Sequence, residues 1–152
     1  MTDNQRYLKH ALIGLERARI ALEYSHSKCS KFDFDQELSM EELDDLEALT
    51  SKFARLSDII VKKIINAIEL VEFEDQSKYV LDIIAAMAKK GFIDNEDVFF
   101  TIREKRNTIA HEYVLTQEEL IDLFQFVVDH CHVLFNCTQK IQDHCKKLFS
   151  ES

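Results

Sequence analysis

In the stretch Ile102-Arg103-Glu104-Lys105-Arg106-Asn107-Thr108-Ile109-Ala110-His111-Glu112-Tyr113, an arginine, an asparagine, a histidine and a tyrosine fall within eight residues. A guanidinium offers a planar fork to a phosphate or carboxylate, and an imidazole moves protons near neutral pH. Together they can bind an anion and transfer a proton beside it. At about 100° per residue of helix, Asn107 and His111 share a face, while Arg106 and Tyr113 lie one above the other. Arg106 and His111 are about 140° apart around an ideal helix, so Arg106 has to bend its long side chain toward the imidazole. The same residues have a structural alternative. His111 can cap carbonyls at a helix end, and Arg106 can pair with Glu104 or Asp97 on the surface. Residue types and spacing leave both open.

Other chemistry is sparse. His130, Cys131, His132, Cys137, His144 and Cys145 resemble a metal site at first sight, but His130, Cys137 and His144 are seven residues apart. Neighbours at that spacing are separated by about 10 Å of axial rise, too far for one zinc ion to bridge, so packing or a stripe at a subunit contact is expected and no metal ligands are assigned. There is no glycine-rich phosphate loop, and the Walker and Rossmann signatures are absent. A second cationic cluster, Lys52, Arg55, Lys62 and Lys63, precedes the central stretch. It reads either as a solvated face or as a positive wall with Arg55 pointing toward the pocket of the central motif.

The elements that must position these groups are helices. The 152 residues include two glycines and no proline, with 46% apolar and 31% charged residues, so a single globular domain over 1–152 built from long helices is expected. Tyr7, Leu8, Ala11, Leu12, Leu15, Ala18 and Leu22 mark a first helix from residue 4 to about 28, after which Ser25 to Ser39 loses the pattern and reads as a loop. Ser39 and Glu42 have the capping-box form and open a second helix carrying Leu43, Leu46, Leu49, Phe53, Leu56, Ile60, Ile64, Ala67, Ile68 and Val71. Unbroken, it would span about 50 Å, so a kink or stagger is expected, with one end free to pack on a second copy. A shorter helix, with Asp75 or Ser77 as N-cap, carries Tyr79, Val80, Ile83, Ile84 and Met87 and stops at Gly91. Asp94 is expected to cap a fourth helix that includes the central stretch, and a Thr116–Glu119 capping box opens the last. The expectation is an all-α up-and-down bundle of four main helices plus one shorter helix.

The net charge of −9 disfavours long-range attraction to nucleic acid or anionic membranes, without excluding a local basic pocket. No apolar run reaches the roughly 18 residues of a membrane span, and the polar first residues do not resemble a secretion signal. With Cys29, Cys131, Cys137 and Cys145 forming no CxxC pair, reduced thiols in a cytoplasmic protein are expected.

Arg106-Asn107-Thr108-Ile109-Ala110-His111-Glu112-Tyr113 resembles the Arg-x4-His-x-Tyr signature of the HEPN superfamily, which includes the HepT toxins. The asparagine after the arginine is also typical of it. The order of elements is similar too, with a long helix containing Leu49 to Asp58 before the motif and another long helix after it. The resemblance covers most of the chain. It implies a homodimeric helical RNase toxin, encoded beside a minimal nucleotidyltransferase (MNT) antitoxin, in which two copies of the motif form one composite cleft. Carried over by position, Arg106 binds the scissile phosphate, His111 acts as general base or acid, and Asn107 orients His111 or holds a phosphate oxygen. Arg103, Lys105 and Arg55 add substrate-binding charge. The implied reaction needs no metal or cofactor, because the nucleophile is the ribose 2′-hydroxyl of the RNA. Tyr113 takes the position of the tyrosine that the antitoxin modifies with adenylate. Some members are described as non-catalytic, substrate-binding partners of nucleotidyltransferases, and that alternative stays open.

Overall fold

The computed structural model describes residues 1–150, which are helical throughout apart from short connections. Helix α1 spans Asp3–Cys29 and is opened by a capping box in which Thr2 and Gln5 exchange hydrogen bonds of 2.9 and 3.1 Å. Its end at Cys29 matches the expected end near residue 28; the helix runs on through Ser25, where the pattern fades, because Ser25 and Cys29 keep the apolar spacing and are buried. The connection is therefore confined to residues 30–39, with Phe32 and Phe34 laid against the core.

Ser39 and Glu42 close the expected capping box, at 2.9 and 3.1 Å, and start α2, Met40–Ile59. A π-helical turn over Ile60–Ile64 joins it to α3, Ile65–Val71. This is the expected stagger: one wide turn interrupts the i→i−4 ladder without ending the rod. Helix α4, Val80–Lys89, is the short one. Neither Asp75 nor Ser77 caps it. Tyr79 stands at the N-cap without a side-chain bond, since Ser77 is held by the buried Glu69, accepting at 3.1 Å from the backbone and 2.7 Å from the hydroxyl. Its C-terminus is a Schellman motif: Gly91 adopts φ +81°, and Phe92 N–H reaches the Met87 carbonyl at 2.9 Å. Helix α5, Glu96–Ile109, is capped by Asn95 rather than Asp94, whose carboxylate instead pairs with Lys140 at 3.2 Å. A 3₁₀ turn, Glu112–Val114, leads to the Thr116–Glu119 box and to α6, Gln117–Ser150.

The helices alternate in direction. Ser25 and Lys28 near the end of α1 meet Lys52 and Asp45 of α2, whereas Tyr7 and His10 near its start approach Ile59 and Lys63. Glu16 and His26 of α1 meet Gln142 and Val128 of α6 in the same antiparallel sense, and Asp94 and Lys105 bracket α5 against Lys140 and Phe126. The interior is a single cluster in which Leu15, Leu22, Leu49, Phe53, Ile64, Phe99, Phe124 and Leu134 are wholly buried. Each such side chain contributes about 1.5–3 kcal/mol on burial. The result is an all-α helical bundle of four main rods, α1, α2–α3, α5 and α6, plus the shorter α4. No helix among the described residues is long and apolar enough to cross a membrane.

Candidate functional site

Helix α5 is amphipathic up to Ile102 and then turns polar, so its last turns carry charge along the flank of α2. Arg106 reaches α2, not His111. Its Nε and Nη2 donate to the two oxygens of Asp58, each at 2.7 Å, in a bidentate fork. Neither Glu104 nor Asp97 is its partner. Arg103, one turn earlier, is 7% exposed and donates from Nη1 to Ser57 Oγ at 2.8 Å and to Asp58 Oδ1 at 2.9 Å. Lys62 Nζ lies 3.8 Å from the same carboxylate. Burial works to raise the Asp58 carboxyl, but hydrogen bonds and charge from Arg106 and Arg103 outweigh it and hold it below its ordinary value of 3.8. Asp58 is an anion locked between cations, and Arg106 keeps Nη1 uncommitted.

Arg106 and Asp58 form part of the wall of a cleft of about 660 Å³ between α2 and the end of α5. Arg55, Lys62 and Lys63 line it from α2 and the π turn, with Glu47 and Glu112 at its acidic margin. Arg55 therefore faces the pocket of the central stretch. Lys52 does not: it donates to Ser25 Oγ at 2.7 Å and sits over the Tyr24 ring. Lys105 lies over Phe126 of α6, 5.5 Å from the ring centroid, away from the cleft lining. Arg103 is spent on holding Asp58.

The rest of the motif departs from an ideal helix. Helix α5 ends at Ile109 with Ala110 as C-cap, and His111 has left the helical region at φ −124°. The expected shared face of Asn107 and His111, and the stacking of Arg106 under Tyr113, are therefore not realised by helix geometry. Asn107, His111 and Tyr113 are exposed, Tyr113 at 81%, and none has a side-chain hydrogen bond among the described residues. The imidazole caps no carbonyl; its ring contact is an edge-on approach to Tyr113 with centroids 6.4 Å apart. Glu112, between them, turns inward instead. Its Oε2 is buried without a partner, and burial, with like charge from Glu47, raises its carboxyl above the ordinary 4.5.

Apart from the exposed His132, the histidines and cysteines of α6 pack. His130 stacks on Phe126 at 3.8 Å, His144 stands edge-on to Phe92, and Cys131, Cys137 and Cys145 are buried. Among the described residues no three metal-ligating side chains converge.

Two residues of this site were not foreseen. Asp58 is 48 positions from Arg106, and nothing local in the sequence marks it. Glu112 lay inside the motif, and the turn made by the helix end decides that it points in. Against known proteins, the chain matches no family model and no curated sequence.

Proposed function

We propose that the protein is a HEPN-like, HepT-type toxin: a homodimeric, metal-independent endoribonuclease whose cleft is built by two copies of the Arg106–His111 motif. One observation carries this reading. Asn107, His111 and Tyr113 are exposed at the end of α5 and make no side-chain hydrogen bond among the described residues, while Arg106, at the head of the same eight-residue stretch, lines a cleft with Arg55, Lys62 and Lys63. Chemically capable side chains that are exposed and make no hydrogen bond within one copy are candidates for chemistry. The exposed Tyr113 and Val114 next to them, 81% and 68% accessible, fit a second copy laid over this end of α5.

In this mechanism the RNA supplies its own nucleophile. The free Nη1 edge of Arg106 binds a non-bridging oxygen of the scissile phosphate and neutralises charge as the phosphorane forms. His111 takes the proton of the 2′-hydroxyl as its oxygen bonds to phosphorus. The bond from phosphorus to the 5′-oxygen breaks, and the His111 imidazolium of the second copy protonates the leaving oxygen. The products are a 2′,3′-cyclic phosphate and a 5′-hydroxyl. Asn107 holds a phosphate oxygen or orients His111. Tyr113 is the control point: adenylate added there by a partner MNT antitoxin brings phosphate charge to Arg106 and fills the entrance.

A second reading has its own support. The Arg106 fork is already occupied by Asp58, and His111 does not line the cleft of a single copy. Both suit a non-catalytic substrate- or nucleotide-binding subunit of a minimal nucleotidyltransferase. Induced expression separates them. Growth arrest and fragmented cellular RNA with the wild-type chain, and neither with Arg106→Ala or His111→Ala, is the result expected of the ribonuclease. Undisturbed growth and intact RNA with all three, each soluble and dimeric, overturns it in favour of the binding subunit.

A further inference from the structure

The chain has six arginines, and four of them are tied into ion pairs: Arg6 to Asp3, Arg19 to Glu16 and Glu23, and Arg103 and Arg106 to Asp58. The two without an ion pair among the described residues, Arg17 and Arg55, line adjoining hollows. Arg55 belongs to the cleft of Arg106. Arg17 belongs to a smaller hollow of about 180 Å³ between α1 and the junction of α2 with the π turn. Ile59 and Lys63 line both, so the two adjoin at the junction of α2 with the π turn. In a protein of net charge −9, Arg55, Lys63 and Arg17, none of them in an ion pair among the described residues, give these adjoining hollows cations open to an anion.

The smaller hollow has a shape to match. Its lining includes Tyr7, 48% exposed, and His10, two flat rings beside the cations. It also includes Gly14, in the middle of the 27-residue α1. An interior helical glycine is unfavourable relative to alanine unless something needs the room. Nothing of the protein lies within 4 Å of where its Cβ would stand, so no packed neighbour requires the glycine. The space above it is the hollow itself.

We infer that this hollow is a nucleotide subsite for single-stranded RNA, next to the scissile position. A flanking base stacks on Tyr7 over Gly14, and its phosphate lies between Arg17 and Lys63. Lys63 follows Asp58 by five residues, roughly 7 Å of axial rise, a separation suited to an adjacent phosphate. The inference rests on the ribonuclease reading and extends its substrate to an unpaired strand, since a base locked in a duplex has no free face to stack.

The test is fluorescence anisotropy of the full chain with a labelled 2′-O-methyl single strand of about ten nucleotides, within the span such grooves cover. With the 2′-hydroxyl blocked, binding is read without cleavage. The double variant Arg17→Ala/Lys63→Ala is expected to lose about tenfold in affinity, and its log–log salt slope to flatten by about 1.4 for two lost phosphate contacts. Gly14→Leu is expected to weaken binding with the salt slope unchanged and an undiminished melting temperature, because it fills space without removing charge. Wild-type affinity and slope in both variants overturn the subsite, and if wild type still fragments cellular RNA, the ribonuclease reading survives that failure. Equal losses for a duplex of the same length also overturn it, by showing a general basic patch. A wild-type chain that neither binds the strand nor cuts RNA removes both.

Discussion

Asp58 gathers two arginines that stand one turn apart on α5, and removing it strands them unequally. Arg106 is partly exposed and can turn to solvent, but Arg103 is 7% exposed and keeps only Ser57 Oγ as a partner. An unpaired buried guanidinium is costly, so Asp58→Ala is expected to destabilise the fold by about 3 kcal/mol in urea unfolding at neutral pH. The pH dependence follows from the depressed carboxyl. A folded-state value below the unfolded one means the ion pair stabilises fully above pH 3.8, and the contribution is lost as pH falls through the lower folded value. The gap between wild type and Asp58→Ala is therefore expected to narrow as pH falls below 3.8; a gap that stays unchanged through acid titration would contradict the charge assignment. At this scale the sequence shows what is contiguous. Arg106, Asn107, His111 and Tyr113 are legible as a group because they lie within eight residues. Their anchor is not, because a carboxylate on another helix leaves no mark at the motif.

Among the elements, most helix ends follow from local chemistry, and the exceptions are instructive. Ser39 and Thr116 cap as their glutamates three residues on require, at about 1 kcal/mol each. Asp94 and Ser77 were equally good capping types, but Lys140 and Glu69 claim them, and those partners come from other elements. The end of α3 is a Schellman turn like that of α4, with Glu74 N–H reaching the Glu69 carbonyl at 2.8 Å, yet its left-handed position holds Phe73 at φ +57°. A bulky residue is strained there, and this one is 94% exposed. Phe73→Gly is expected to raise stability by about 1 kcal/mol, read as a higher melting temperature; a loss would show that the phenyl ring makes a contact worth more than the strain. The π turn is the other departure from regularity. Length alone predicted a stagger, but only packing put it at Ile60–Ile64, where it carries Lys62 and Lys63 into the cleft wall.

For the whole molecule, burial governs reactivity. All four cysteines are free and buried. Burial pushes the Cys29 thiol up to about 11 and those of Cys131, Cys137 and Cys145 to about 12. The thiolate is the reactive form, so the native protein is expected to ignore a chromogenic disulfide reagent at neutral pH and to release four equivalents of colour once unfolded in urea. Prompt reaction of one thiol in the native state would mean that its helix opens locally. Charge is concentrated locally as well: in a protein of net charge −9, Arg55, Lys62 and Lys63 share one cleft with Arg106, against Glu47, Asp58 and Glu112.

The sequence by itself determined the helical class, the number of main rods, the interruption in the second and the local cluster at the end of α5. Each of these depends on periodicity, on capping residues or on the absence of breakers, and all act over a few neighbouring positions. Tertiary structure alone decided that Arg106 turns to Asp58, that Arg103 is buried, that Arg55 faces the cleft while Lys52 and Lys105 do not, and that Glu112 points inward as His111 points out. Side-chain direction at those positions is set by which helix lies opposite, and by where α5 ends. Contacts between residues 45 or more positions apart exist only once the bundle has closed.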